Sequence, residues 1–234
     1  MKNALLTLGS GLLVATAAPA ATIEYDFEDT ANISVYSPQT ADSEYTAPDF
    51  NDFGSGITVS SFTLTDRDAG EYSRFVNIGG GSVEAAVGSG GSDLLASFTI
   101  TIDDTVIVGL NDIVFDSSAR WTQGVAVDDV FVDFYTTVGG IQGSTSSFDW
   151  THDGDPAYQS QDGNSVDLSA LTGLTNTTVT FTWELGTDRN NTFARIAQGL
   201  DDITLTGTIV PVPEPSTIAL VSGFLGCWVM RRRR

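Results

Sequence analysis

Cysteine and histidine are almost missing from this 234-residue chain, which has one of each, Cys227 and His152. One cysteine excludes an intrachain disulfide, and one imidazole excludes multi-histidine metal centres and confines any Ser-His-Asp design to His152. Basic residues are scarce as well. Ten Lys and Arg stand against 30 Asp and Glu, a net charge of −20, and such a balance argues against direct binding to nucleic-acid phosphates. Yet only 17% of residues are charged while 41% are hydrophobic, which is the composition of a packed domain and not of a disordered acidic tail. Long uncharged apolar runs occur only at the two ends.

At the N-terminus, Lys2 precedes an apolar stretch from Ala4 to Ala17 and then Ala18-Pro19-Ala20. A basic start, an apolar middle and a small-x-small site form a secretory signal peptide, here residues 1–21 with cleavage after Ala20. At the C-terminus, Pro213-Glu214-Pro215-Ser216-Thr217 is followed by an uncharged run from Ile218 to Met230 and by Arg231, Arg232, Arg233 and Arg234. As a helix those residues rise about 20 Å, short of the roughly 30 Å hydrocarbon core unless Ser216 and Thr217 are drawn in. The four arginines put this terminus on the cytoplasmic side and the acidic body outside.

The Pro-Glu-Pro motif, short apolar helix and closing Arg cluster together resemble the PEP-CTERM sorting signal, here residues 209–234. That resemblance implies transient anchoring in the inner membrane of a Gram-negative bacterium, recognition by an exosortase, and delivery to the cell surface or extracellular matrix. An ordinary C-terminal membrane anchor is the alternative. Cys227 lies inside the apolar segment and is read as a small hydrophobe there.

Residues 22–208 form the body, with no lysine and only Arg67, Arg74, Arg120, Arg189 and Arg195 against 29 acids, a net charge of −24. Charge of that size keeps a protein soluble, disfavours anionic surfaces and attracts divalent cations. No Pro-rich or Ser-rich linker divides these residues, so one domain is expected.

The apolar pattern of the body has period two. Val179, Phe181, Trp183 and Leu185 alternate with threonines and Glu184; Phe98, Ile100 and Ile102 with Thr99 and Thr101; Ile23, Tyr25 and Phe27 with Glu24 and Asp26; Ile203 and Leu205 with Thr204 and Thr206. Each is a half-buried strand. Further strands are expected at Ile57 to Leu64, with a bulge at Ser60 and Ser61 where parity slips, at Asp112 to Asp116, and at Val125 to Val138, which is apolar on both parities. Convincing helical periodicity is missing, and the expected fold is all-β, a single antiparallel β-sandwich of jelly-roll type.

More loosely, the body resembles the jelly-roll domains of carbohydrate-binding modules, on the opening Tyr25-Asp26-Phe27-Glu28 and the closing Leu200-Asp201-Asp202-Ile203-Thr204-Leu205. Asp201 shares the parity of Ile203 and Leu205, so a strand beginning there turns its carboxylate toward the core, where an unpaired charge is expensive. A structural Ca²⁺ would neutralise it. The resemblance places such an ion between the first and last strands, on Asp26 or Glu28 with Asp201 or Asp202; a solvated turn or an arginine partner is the alternative. The loops starting at Asp66 and Asp162 open like EF-hands but lack the sixth-position Gly and twelfth-position Glu, and read as Asx-turns.

Sugar rings are often held on flat aromatic platforms. Of Trp121, Trp150, Trp183, Tyr135 and Tyr158, the sequence favours Trp121, Trp150 and Tyr158, which lie at strand edges and beside the polar loop Thr151 to Pro156, while Trp183 has core parity. Packing inside the domain is the competing role for all of them. His152 has no nucleophile elbow beside it, and no catalytic residue is assigned. Three functions are therefore carried forward: a sorted surface or matrix protein with a structural or adhesive role, a calcium-stabilised module that binds exopolysaccharide, and a secreted hydrolase.

Overall fold

The computed structural model describes residues 18–27, 43–66, 72–76, 84–88, 94–123, 128–152, 158–188 and 195–212. The described residues form 14 β-strands and no helix. In order they are β1 (Ala20–Tyr25), β2 (Ser43–Thr46), β3 (Phe50–Asn51), β4 (Ile57–Val59), β5 (Phe62–Asp66), β6 (Tyr72–Val76), β7 (Glu84–Gly88), β8 (Leu94–Ile102), β9 (Val106–Gln123), β10 (Asp128–Val138), β11 (Ile141–His152), β12 (Tyr158–Asp167), β13 (Thr177–Asp188) and β14 (Arg195–Pro211).

Two seven-stranded antiparallel sheets result. The first runs β12-β9-β14-β1-β3, with β7 also along β14 and β6 beyond it; the second runs β11-β10-β13-β8-β5-β2, with β4 also on β8. The alternating segments do what their periodicity requires. Val179, Phe181, Trp183, Leu185, Phe98, Ile100 and Ile102 are all fully or nearly fully buried from the second sheet, and Ile23, Tyr25, Ile113, Phe115, Ile203 and Leu205 from the first. Rings interleave across the gap: Tyr25 lies 5.0 Å from Phe98 and 5.4 Å from Phe62, and Phe115 lies 5.8 Å from Trp183, centre to centre. This is a sandwich, with one core between two inward faces.

The parity slip at Ser60 and Ser61 is a bulge. Val59 pairs with Ile100 and Thr63 with Ser97, so three residues of one strand stand against two of β8. Ser60 N–H donates to the Thr99 carbonyl (2.8 Å) and Thr99 N–H donates to Ser60 Oγ (2.8 Å), so the irregular step keeps its backbone groups satisfied.

Several elements extend past the sequence expectation. β9 covers Val106–Gln123 and not only Asp112 to Asp116, and β14 continues to Pro211, after which Val212 N–H donates to the Thr105 carbonyl (2.8 Å). β11 and β12 carry little period-two apolar signal, because Ser, Thr, Gln and Asp fill them. Asp162 belongs to β12 and to a bulge between Gln161 and Asn164, with Gly163 at φ 70°. Of the loop starting at Asp66, residues 67–70 lie outside the described residues.

The first and last strands, β1 and β14, pair antiparallel from Ala20↔Thr208 to Tyr25↔Ile203. Ala18 precedes β1, Ala20 is its first residue, and Ala21 is already in the core at 2% exposure. Residues 1–17 of the signal segment, the motif Pro213 to Thr217 and Arg231 to Arg234 lie outside the described residues. No helix among the described residues is long and apolar enough to cross a membrane.

Candidate functional site

The most distinctive surface is the solvent face of the second sheet around β10. Inward residues Val130, Val132 and Phe134 are fully buried, so strand alternation sends Phe131, Asp133 and Tyr135 outward, and all three are half-buried. Phe131 and Tyr135 stand about 13 Å apart along the strand, with Asp133 midway between them.

Register fixes their neighbours. Across β10, Phe131 faces Gly186 and Asp149, Asp133 faces Glu184 and Ser147, and Tyr135 faces Thr182 and Thr145. Gly186 is buried and Thr182 is 5% exposed, although both belong to the outward row of β13. Asp133 accepts a hydrogen bond from Ser147 Oγ, which holds its carboxylate on the sheet surface.

Beyond Thr182 the floor is made of hydroxyls. Ser97, Thr99 and Thr101 of β8 stand in register with Thr182, Thr180 and Thr178 of β13, with Thr63 and Thr58 beside Ser97 and Thr101. Thr99 and Thr180 share a hydrogen bond between their hydroxyls at 3.1 Å. The face is thus a grid of alcohols spaced about 4.8 Å between strands and nearly 7 Å along them, edged by two aromatic rings and by Asp133, Glu184 and Asp149.

Of the aromatic trio favoured from sequence, Trp121 and Tyr158 lie on strands of the first sheet and Trp150 on a strand of the second. Tyr158 pairs with Arg120 across β12 and β9, and Trp121 follows Arg120 on β9. Trp150 is in the other sheet, opposite Val130 in the register. Trp183 is fully buried, with its Nε1 lacking an acceptor. His152 ends β11, opposite Asp128. Phe131 was missed because its strand is apolar on both parities, and only the fold shows which parity faces water.

Three of the four residues of the calcium expectation, Asp26, Asp201 and Asp202, are among the described residues. The pairing of β1 and β14 ends at Tyr25↔Ile203, so Asp26 and Asp202 come next on the two strands; both are exposed, and Asp202 has φ 48°. Glu28 lies outside the described residues. Asp201 is buried, at 8% exposure, but not by the parity read from sequence. A bulge carries the register from Asp201↔Asp116 to Thr204↔Val114, so Leu200 takes the core position and Asp201 falls on the opposite face with Asp116. Among the described residues no group of three His, Cys, Asp or Glu is arranged to hold a metal ion.

Asp116 is itself perturbed. Burial pushes its carboxyl above the ordinary carboxylate range, the Gly163 N–H that it accepts at 2.6 Å pulls it back down, and nearby Asp162 pushes it up again. Asp167 shifts the other way, because the Ser169 hydroxyl and N–H donate to its carboxylate.

No protein-family model matches the sequence, and no characterised protein matches it at the level of sequence. Among solved structures the chain is similar to TmCBM61 in complex with beta-1,4-galactotriose (14% identity, TM-score 0.31, covering 68% of this chain and 90% of that one). It is also similar to the family 11 carbohydrate-binding module from Clostridium thermocellum with a beta-1,3-1,4-mixed-linked tetrasaccharide (10% identity, TM-score 0.30, 79% and 95%). A third is a family two carbohydrate esterase from Cellvibrio japonicus (12% identity, TM-score 0.22, 68% and 36%).

Proposed function

We propose that this chain is an exported adhesive protein of the bacterial surface or extracellular matrix that holds polysaccharide on the outer face of its second sheet. The observation that carries this reading is the row Phe131, Asp133, Tyr135: two outward rings flanking a carboxylate, over a floor of hydroxyls. Apolar ring faces take the C–H faces of sugars, and fixed hydroxyls and carboxylates take their O–H groups, which is the usual division of labour in ligand sites. A glycan array probed with the full-length protein, with and without Ca²⁺, tests it; binding to no glycan under either condition would remove the adhesive reading.

Export and delivery follow from the ends of the chain. Residues 1–21 act as the signal peptide, and Pro213 to Thr217 with the apolar segment and the arginines act as the exosortase signal. Replacing Pro213, Glu214 and Pro215 by alanine is expected to leave the protein membrane-bound and uncleaved. Release equal to wild type would contradict the sorting assignment.

The side-by-side first and last strands support the jelly-roll reading of the sandwich. Asp26, Asp201 and Asp202 supply oxygen donors of the kind that Ca²⁺ takes, and with Glu28 they would hold the ion at the open end of the β1–β14 pair. Bound there, Ca²⁺ supplies positive charge to a bulge whose own residues carry only negative charge.

A further inference from the structure

Toward one end of the sandwich the inward face of the first sheet changes character within one step of a strand. Ile113 and Phe115 of β9 belong to the apolar core, but the next two inward residues are Ser117 and Ala119, both buried, and Ala119 stands outside the continuous apolar cluster. Residues opposed across antiparallel strands share a face. Register therefore puts Asn164 beside Phe115, Gln161 and Leu200 on either side of Ser117, and Gln198 beside Ala119, all facing the other sheet. Gln198 is 4% exposed and Asn164 5%.

Two oxygens there lack a donor. The Oε1 atoms of Gln198 and Gln161 are buried and accept no hydrogen bond. Asn164 spends its amide on Ser117 Oγ (3.2 Å) and on the Gln161 carbonyl (3.0 Å), which leaves neither hydrogen for them. A buried amide oxygen without a donor has given up its hydration for nothing, and in folded proteins such groups are met by water or by a ligand. The two glutamine Cα atoms stand two strands and one pleat apart, about 12 Å, with only the small Ser117 and Ala119 on the strand between them.

We infer that this corner of the inter-sheet space is a binding pocket for hydroxyl groups, separate from the outer face of β10. An O–H group supplies the hydrogen that each glutamine oxygen lacks and can accept from Ser117, whose Oγ already accepts from Asn164 and keeps its own hydrogen to give. Charged ligands find no counter-charge, because the inward positions are amide, hydroxyl and apolar. The pocket opens at the sheet edge: β12 is the outermost strand and Gln161 is half-buried, whereas Gln198, two strands in, is closed from solvent. Water and the hydroxyls of a sugar offer this same chemistry.

Oxygen-17 relaxation dispersion on the full-length protein detects long-lived internal water, and the side-chain amide signals of Gln161 and Gln198, followed by NMR during titration with glucose, detect sugar. Amide signals that shift with glucose assign the pocket to sugar hydroxyls; unmoved signals with slow water present assign it to water. Gln198→Leu and Gln161→Leu should each lose whichever response the wild type gives, with melting temperatures no higher than wild type. Neither slow water nor a glucose shift in the wild type would overturn the inference, as would a response that either variant leaves intact. A melting temperature raised in either variant would do the same, since it would mean that the oxygen removed had been buried dry. Both variants leave Phe131 and Tyr135 in place, so these outcomes are independent of glycan binding on β10.

Discussion

The hydroxyl of Tyr25 donates a 2.7 Å hydrogen bond to the carbonyl of Ser60, tying the first strand of one sheet to the bulge of the other through the middle of the core. Burial, and to a lesser degree the carboxylate of Asp49, push this phenol well above its ordinary range, which favours the protonated, donating form. Replacing Tyr25 by Phe keeps the ring among Phe62, Phe98 and Phe27 but leaves the Ser60 carbonyl without this donor. A loss of about 1–2 kcal/mol is expected, read from urea unfolding, with an unchanged slope on denaturant.

Gly207 makes a second close approach between elements. A Cβ built there would lie 2.9 Å from the Gly109 carbonyl and 3.0 Å from Phe53 Cζ, and Gly207 sits beside a register shift between β14 and β9. Backbone cannot step aside as a flexible side chain can. Gly207→Ala should cost about 1–3 kcal/mol through overpacking, and an unshifted melting temperature would show that the two strands have room to part.

Stability should respond to pH through Asp116. Its folded-state pKa is raised, so the folded state holds the proton more tightly than the unfolded one. Its contribution is most favourable below the ordinary carboxylate pKa and is lost as pH rises through the raised value. Asp116→Asn should therefore raise the melting temperature at pH 7, and the gain should shrink as the pH falls toward 3. Asp167, with its lowered pKa, works in the opposite sense, adding stability that disappears as the solution is acidified. A gain from Asp116→Asn that grows at low pH would contradict the assignment.

The calcium proposal has its own readout. Adding Ca²⁺ to chelator-treated full-length protein should raise the melting temperature, and Asp201→Asn should abolish the rise. Identical melting in Ca²⁺ and in chelator would remove the ion from the β1–β14 end.

Much of this architecture is written in alternation. Phe98 to Ile102 and Val179 to Leu185 could be placed in half-buried strands because hydrophobic and hydroxyl residues change places at every step, and the slip at Ser60 was visible for the same reason. β11 and β12 were not visible, since edge strands with Ser, Thr and Gln on both parities carry little period-two signal. Asp201 shows the other failure. Its parity was right for a regular strand, and the bulge at Asp202 moved it to the opposite face without changing its burial. At the candidate site the outward rings are Phe131 and Tyr135, whose exposure depends on which parity of β10 the second sheet turns inward.

The central claim is that those two rings hold the sugar. Affinity electrophoresis of the full-length protein in gels containing a glycan that binds on the array, comparing wild type with Phe131→Ala, Tyr135→Ala and Tyr158→Ala, tests it most directly. The account predicts about tenfold weaker retardation for each of the first two, unchanged melting temperatures, and wild-type behaviour for Tyr158→Ala. Undiminished binding in both β10 variants, or loss only in Tyr158→Ala, would contradict it.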